Sequence, residues 1–286
     1  MSAIAFRMCL SNANRSLGSV RHSALFGLLC AVTFASSVCF IHCHPHLSIL
    51  DLFLIRQMVP FSLPRFAKNI DSTYIGNYYF KNKIHKNKDK FDQLLVLGIG
   101  LDTKADVMEE LEGKQVFGLD ISADNISNIY EEADMTTKSI ILNCDLTNLK
   151  KENVLKKLKD VGFSLEKKTY IIWEGGTYYI ENSKVKDIIS FWCESINVVG
   201  ISLDFLNEDV FYNKSHPNRL VIEKVLEILK NSKEPWVGFF TPAKLKDYFS
   251  SLGFKEIEVV MHGDIESKLY DNPKVIEDLL FFITVF

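Results

Sequence analysis

The chain has 286 residues, of which 47% are hydrophobic and 24% are charged. This composition is typical of a globular protein and disfavours a disordered chain, a collagen, a disulfide scaffold and a multi-span membrane protein. The net charge of −3 gives no global support for a nucleic-acid partner. The length suits one large α/β domain with additions or two small domains.

The first 50 residues contain Arg7, Arg15 and Arg21 but no acidic residue, and residues 24–41 carry no charge. Three interpretations are open for residues 1–41: a signal peptide or signal anchor, a mitochondrial presequence, or a buried helix of a soluble domain. The first two place the protein at a membrane or in the mitochondrion. The third, which places it in the cytoplasm, is favoured below.

The six cysteines form no C-x-x-C pair and no visible disulfide framework, which indicates free thiols. One group combines zinc-ligand residue types, namely Cys39, His42, Cys43, His44 and His46. Its spacing fits no closed structural site, and no second ligand pair lies at a suitable distance. We therefore predict no metal site.

From residue 91 onward, short apolar runs alternate with amphipathic segments. Strands are predicted over residues 93–97, 115–119, 139–143, 169–173, 198–203, 255–260 and 281–285. Helices are predicted over residues 103–111, 123–132, 152–160, 183–197, 221–230 and 241–252. This alternation predicts a parallel sheet covered by helices on both faces. The last two predicted strands have no full helix between them, which suggests an antiparallel pair at one edge, and residues 42–90 are predicted to be irregular.

Polar residues follow the first four predicted strands at the point where each strand ends. They are Gly98, Gly100 and Asp102 after the first strand, Asp120 after the second, Asp145 after the third and Glu174 after the fourth. Ligands of open α/β sheets bind at these carboxyl ends. Several acids there suit a ligand rich in hydroxyl and amino groups.

Gly98 and Gly100 let the backbone approach a ligand without a Cβ collision. The pair is not the dinucleotide fingerprint, because Thr103 occupies the place of its third glycine. A carboxylate at Asp102 would repel a pyrophosphate and suit an ammonium, and Asp120 is placed to accept from ribose hydroxyls. The structural alternatives are a helix N-cap at Asp102 and a turn at Asp120.

The segment QLLVLGIGLDTKADVM resembles motif I of the leucine carboxyl methyltransferase family, a group of class I S-adenosylmethionine-dependent methyltransferases. Its pattern is a hydrophobic strand followed by G-x-G-x-D-[TS]. Later segments resemble the family in the same order: Asp120 as the ribose acid, Cys144-Asp145-Leu146, residues 160–180 and residues 236–254. The similarity covers residues 91–260.

The resemblance implies a Rossmann-like class I methyltransferase fold: a seven-stranded, mostly parallel sheet with an antiparallel C-terminal edge strand and an N-terminal helical cover. Residues 1–90 would form the cover and residues 91–286 the S-adenosylmethionine-binding domain. The implied cofactor-binding residues are Gly98, Gly100, Asp102, Asp120, Ile121, Cys144, Asp145, Leu146 and Glu174.

Two features before motif I bear on this resemblance. Residues 22–33 are similar to the opening T-A-L helix of the family, which favours a buried helix over a membrane span. The family usually carries an R-T-R-F-F-D-like stretch whose Arg holds the cofactor carboxylate, but the corresponding residues 76–80 contain no Arg. Lys81, Lys83 and Arg65 are the candidate replacements, although Lys does not reproduce the bidentate geometry of Arg.

The resemblance implies methylation of an oxygen, either a carboxylate or a hydroxyl, on a small molecule or a protein C-terminus. The alternative is a protein that binds S-adenosylmethionine without turnover. No catalytic residue is assigned, and Tyr178 and Tyr179 are the candidates on the acceptor side. We expect neither a nucleic-acid nor a membrane partner.

Overall fold

The computed structural model describes residues 70–217, 219–231, 235–269 and 279–286. The N-terminal segment, the Cys–His group and Arg65 lie outside the described residues. The described helices are α1 Ile70–Asn87, α2 Lys104–Val107, α3 Ala123–Glu132, α4 Val154–Asp160, α5 Asn182–Ser195, α6 Glu208–Phe211, α7 Arg219–Asn231, α8 Pro242–Ser251 and α9 His262–Leu269. The described strands are β1 Gln93–Leu97, β2 Gln115–Asp120, β3 Ser139–Asn143, β4 Thr169–Trp173, β5 Val198–Asn207, β6 Phe239–Phe240, β7 Ile257–Met261 and β8 Leu280–Val285.

The strands form one mixed sheet in the order β3-β2-β1-β4-β5-β8-β7, and β6 pairs with the end of β5. Strands β1 to β5 run parallel, whereas β8 is antiparallel to both β5 and β7. The predicted Rossmann-like sheet with an antiparallel pair at one edge is confirmed, with β8 inside the pair and β7 outermost. The predicted count of seven strands is wrong for the described residues, because the two-residue β6 is too short to show a strand period.

Two of the segments that differ from the sequence prediction are helices. The first is α1, which occupies part of the stretch predicted to be irregular, because Ile75, Tyr79, Phe80 and Ile84 recur at helical spacing and are buried. The second is α9, which separates β7 from β8, although only Ile265 gives its sequence a buried aliphatic residue.

Both faces of the sheet are buried, as the alternating side chains of its central strands require. Leu95 and Leu97 of β1 belong to the apolar cluster on one face, and Leu94 and Val96 to the cluster on the other. The second cluster includes Ile75, Phe80 and Ile84 of α1, so α1 covers that face. Among the described helices, none combines the length and the apolar character that a membrane span requires.

Candidate cofactor site

The turn after β1 has the backbone conformation that requires glycine. Gly98 has a φ of +61° and Gly100 a φ of +50°, in the left-handed region that other residues adopt at a cost. The Gly98 amide donates to the Leu119 carbonyl at 2.8 Å, and the Gly100 amide donates to Asp120 Oδ2 at 2.9 Å. A Cβ built on Gly100 would have no heavy atom within 4 Å, so this turn borders open space.

Asp120 ends β2 and joins the two turns beside it. Its Oδ2 accepts from the Gly100 amide, and its Oδ1 accepts from the Ser122 amide at 2.8 Å. The carboxylate thus forms the turn that the structural alternative proposed, and each oxygen keeps a further lone pair. The next residue, Ile121, is 63% exposed and presents an apolar side chain beside this carboxylate.

The end of β3 lies alongside the end of β2, since the Cys144 amide donates to the Asp120 carbonyl at 3.0 Å. The Cys144 and Leu146 side chains are buried, so these two residues can reach a ligand only through their backbone. Burial opposes the charged form of Asp145, but hydrogen bonds from Thr147 and Asn148 prevail and lower its pKa. Asp145 is therefore ionised at neutral pH.

A lysine that the sequence prediction did not select lies at the floor of the site. Lys104 Nζ contacts Asp102 Oδ2 at 2.7 Å and Glu174 Oε2 at 2.5 Å, and the Lys104 side chain is only 3% exposed. Burial alone would lower the pKa of Lys104, but the two carboxylates outweigh it and raise that pKa. Asp102 Oδ1 also accepts from the Lys104 amide at 2.7 Å, so Asp102 supports the start of α2 as well.

The Glu174 turn after β4 is held by Asp204, which the sequence prediction also omitted. The Gly175 amide donates to both oxygens of Asp204 at 2.9 and 3.1 Å, and the Thr177 hydroxyl donates to the Asp204 carbonyl at 2.6 Å. Burial raises the pKa of Asp204 to about 7 and is also the main cause of the raised pKa of Glu174. Strand β5 was predicted to end near Asp204, but it continues to Asn207 because the apolar residues Phe205 and Leu206 are buried.

Of the two acceptor-side tyrosines, Tyr178 lies nearer the Glu174 turn. Its hydroxyl would be 3.5 Å from a Cβ built on Gly175, and burial raises the pKa of Tyr178. The hydroxyl of Tyr179 is buried. The Val237 and Gly238 amides donate to the Tyr178 carbonyl at 2.8 and 3.1 Å, so the segment before β6 packs on this loop.

Helix α1 approaches the same acidic group from the other side. A Cβ built on Gly76 would lie 3.2 Å from Glu174 Oε1. Among the candidate cations, Lys83 pairs with Glu258, whereas the charge of Lys81 slightly favours the ionised form of Glu174, whose pKa burial raises. The site therefore brings Glu174, Asp102 and Lys104 together beside α1, and Lys81 of that helix acts on Glu174 only through its charge.

No group of three or more potential metal-ligating His, Cys, Asp or Glu side chains occurs within the described part of the chain. The donors at the strand ends are instead carboxylates tied to backbone amides or to Lys104. This arrangement suits an organic ligand with hydroxyl and amino groups.

Comparison with known proteins agrees with this geometry. The family model of leucine carboxyl methyltransferases matches residues 64–192. A candidate methyltransferase from Thermobifida fusca has a similar structure, with a TM-score of 0.60, 14% sequence identity, and coverage of 91% of this chain and 96% of that one. A DUF574 family protein from Streptomyces avermitilis has a TM-score of 0.56 and 11% identity, and the match covers 78% of this chain and 85% of that one. No curated protein sequence matches significantly. The resemblance to the leucine carboxyl methyltransferase family is thus confirmed over residues 64–192.

Proposed function

We propose that this protein is an S-adenosylmethionine-dependent methyltransferase whose cofactor lies across the Gly98–Gly100 turn. The observation that carries the proposal is the placement of two different groups of polar residues on the two sides of that turn. One group contains Asp120 and Asp145, and the other contains Glu174 and Lys104. The sheet order puts β2 and β3 on one side of β1 and β4 and β5 on the other. Ligands of open α/β sheets bind at such a switch in strand order.

The adenosine part of the cofactor is assigned to the side formed by β2 and β3. The free lone pairs of Asp120 suit ribose hydroxyls, and the exposed Ile121 side chain offers an apolar surface for the adenine ring. The ionised Asp145 suits the adenine amino group, and Cys144 and Leu146 would contribute backbone groups. Every residue that was predicted from the sequence as a cofactor contact on this side therefore retains that role in the proposal.

The methionine part is assigned to the side formed by β4 and α1. Both Asp102 oxygens already hold Lys104, whereas Glu174 uses only Oε2 for that lysine. We therefore assign the cofactor ammonium to Oε1 of Glu174 and give Asp102 an indirect part through Lys104. Lys81 of α1, whose charge favours the ionised form of Glu174, is assigned to the cofactor carboxylate in place of the Arg that residues 76–80 lack.

The bound cofactor supplies an electrophilic methyl group, and the protein has to align the acceptor oxygen with it and exclude water. A carboxylate acceptor is ionised at neutral pH and needs no base, whereas a hydroxyl acceptor does. The raised pKa of Tyr178 keeps its phenol protonated, which suits a hydrogen-bond donor and not a base. We therefore favour a carboxylate, on a small molecule or a protein C-terminus.

The test combines binding and transfer. Calorimetry with S-adenosylmethionine should show one binding site, and cofactor with a tritiated methyl group should label a component of a cell lysate. Treatment of the labelled material with mild base should release volatile methanol if the acceptor is a carboxylate, because esters hydrolyse and ethers do not. Asp187→Asn, a change in an exposed side chain of α5, serves as the control variant, which should bind the cofactor and transfer the label like the wild type.

The absence of an Arg from residues 76–80 favours a second candidate, a protein that binds the cofactor without turnover. Binding without label transfer would support that candidate. A wild-type protein that fails to bind S-adenosylmethionine would contradict both.

A further inference from the structure

Lys104 is an unusual residue for the floor of a site that receives a ligand with its own ammonium. Its side chain is 3% exposed, and those of Asp102 and Glu174 are 10% and 22% exposed. Burial of an unpaired lysine ammonium is costly, so this position requires the two carboxylates. The Lys104 ammonium is therefore a buried, paired charge that is part of the structure of the site and is not a surface charge.

We propose that Lys104 is a positioning residue that holds Glu174 by one carboxylate oxygen and thereby directs the other oxygen to the cofactor ammonium. The inference rests on the proposed function, because it assigns Glu174 Oε1 to that ligand. Asp102, Glu174 and Lys104 together carry a single net negative charge, which one ligand ammonium can neutralise.

Direct binding of the cofactor carboxylate by Lys104 is disfavoured by the same contacts. Lys104 Nζ already donates to Asp102 and Glu174 and lies 5.8 Å from the Phe80 ring centroid. A ligand carboxylate at this nitrogen would meet the two protein carboxylates at close range. The lysine therefore acts through Glu174.

Removal of Lys104 should change the protonation of the site. Oxygens of Asp102 and Glu174 both lie within 2.7 Å of the same nitrogen, so without the cation the two carboxylates face each other. One of them should then retain a proton near neutral pH. The other titratable groups close enough to interact electrostatically with Asp102 or Glu174 are Asp204 of β5, Lys81 of α1, Tyr178 after β4 and Tyr130 of α3.

The experiment compares Lys104→Met and Lys104→Arg with the wild type, with two ligands measured by calorimetry. S-adenosylmethionine carries the ammonium, whereas 5′-methylthioadenosine shares the adenosine part and lacks the amino-acid part. We expect Lys104→Met to weaken S-adenosylmethionine binding by roughly 10- to 100-fold, the usual effect of losing a charged hydrogen bond. The affinity for 5′-methylthioadenosine should change by less than about twofold, which is the deviation expected when a mutation and a binding contact are independent of each other.

A second readout separates positioning from a general loss of structure. Titration of S-adenosylmethionine in buffers of different ionisation enthalpy counts the protons released per ligand bound. The Lys104→Met variant should release more protons than the wild type, and Lys104→Arg should match the wild type. An irreversibly unfolded fraction lowers the number of binding sites per chain but leaves the protons released per bound ligand unchanged. If Lys104→Met does not fold, Lys104→Gln replaces it in the same comparison.

Equal weakening of both ligands, or no weakening of either, would overturn the role of Lys104. The same holds if the proton count is unchanged in a folded variant. A wild-type protein that binds neither ligand would instead contradict the proposed function, so the two failures are distinguishable.

Discussion

The carboxyl group of Asp204 makes the stability of this protein depend on pH in an unusual direction. Burial raises the pKa of Asp204 from 3.8 to about 7, against the effect of the hydrogen bonds from the Gly175 amide. Between these two values the folded chain holds a proton that the unfolded chain has released. The Asp204 contribution to the free energy of unfolding therefore falls as the pH rises from about 4 to about 7 and is constant above that range.

The size of the contribution follows from the two pKa values. A tenfold change in proton affinity corresponds to about 1.4 kcal/mol, so the full difference corresponds to about 4 kcal/mol. Asp204 is 6% exposed, so solvent screens this effect little. Asp204→Asn removes the titration and retains one oxygen for the Gly175 amide.

Urea unfolding of wild-type and Asp204→Asn protein at pH 4.5 and pH 8 measures the effect. The variant should gain about 3 kcal/mol relative to the wild type between the two pH values, because it no longer carries a buried charge at high pH. Asp187→Asn, which removes a charge from a side chain that is 70% exposed, controls for net charge. If the difference between Asp204→Asn and wild type is the same at both pH values, the Asp204 assignment is wrong.

Two further predictions concern the assigned ends of the cofactor. Ile121→Ala should weaken binding of both S-adenosylmethionine and 5′-methylthioadenosine by about 1 kcal/mol in calorimetry, because part of the apolar surface for adenine is lost. Its melting temperature should be unchanged because Ile121 is 63% exposed, and Leu220→Ala, a change in an apolar residue that is 80% exposed, should affect neither measurement. Lys81→Met should weaken S-adenosylmethionine binding by about 1 kcal/mol at low salt and leave 5′-methylthioadenosine binding unchanged, since only the former has a carboxylate. Equal effects on both ligands would remove Lys81 from its assigned role.

The sequence predicted the parallel half of the sheet well because its strands carry clear signals. Strands β1, β3 and β4 each contain three or four consecutive apolar residues, and their predicted bounds agree with the structure. The helix predicted over residues 241–252 likewise begins at the expected place, where the Thr241 hydroxyl caps it by accepting from the Lys244 amide at 3.3 Å. Local patterns are sufficient where an element contains a continuous apolar run or is capped by its own sequence.

Elements that depend on distant partners were missed. Strand β6 exists because its two residues pair with the end of β5, and Asn182 completes it by donating to the Phe239 carbonyl and accepting from the Phe239 amide. Asn182 is 57 positions away from Phe239 in the chain. No periodicity in a two-residue strand can reveal such a contact, so the strand count could only come from the three-dimensional structure.

The site shows why the structural and functional interpretations of one residue need not compete. The sequence allows Asp120 to be either a turn former or a ribose ligand, and in the structure it forms the turn while keeping lone pairs for a ligand. Asp102 likewise supports the start of α2 and holds Lys104. A carboxylate fixed by its own backbone contacts is already oriented before a ligand arrives, which lowers the entropic cost of binding.

The site residue that could not be predicted from the sequence was Lys104, because a lysine in a helical segment is ordinarily a solvated charge. Only the convergence of β1 and β4 shows that this lysine lies between two acids.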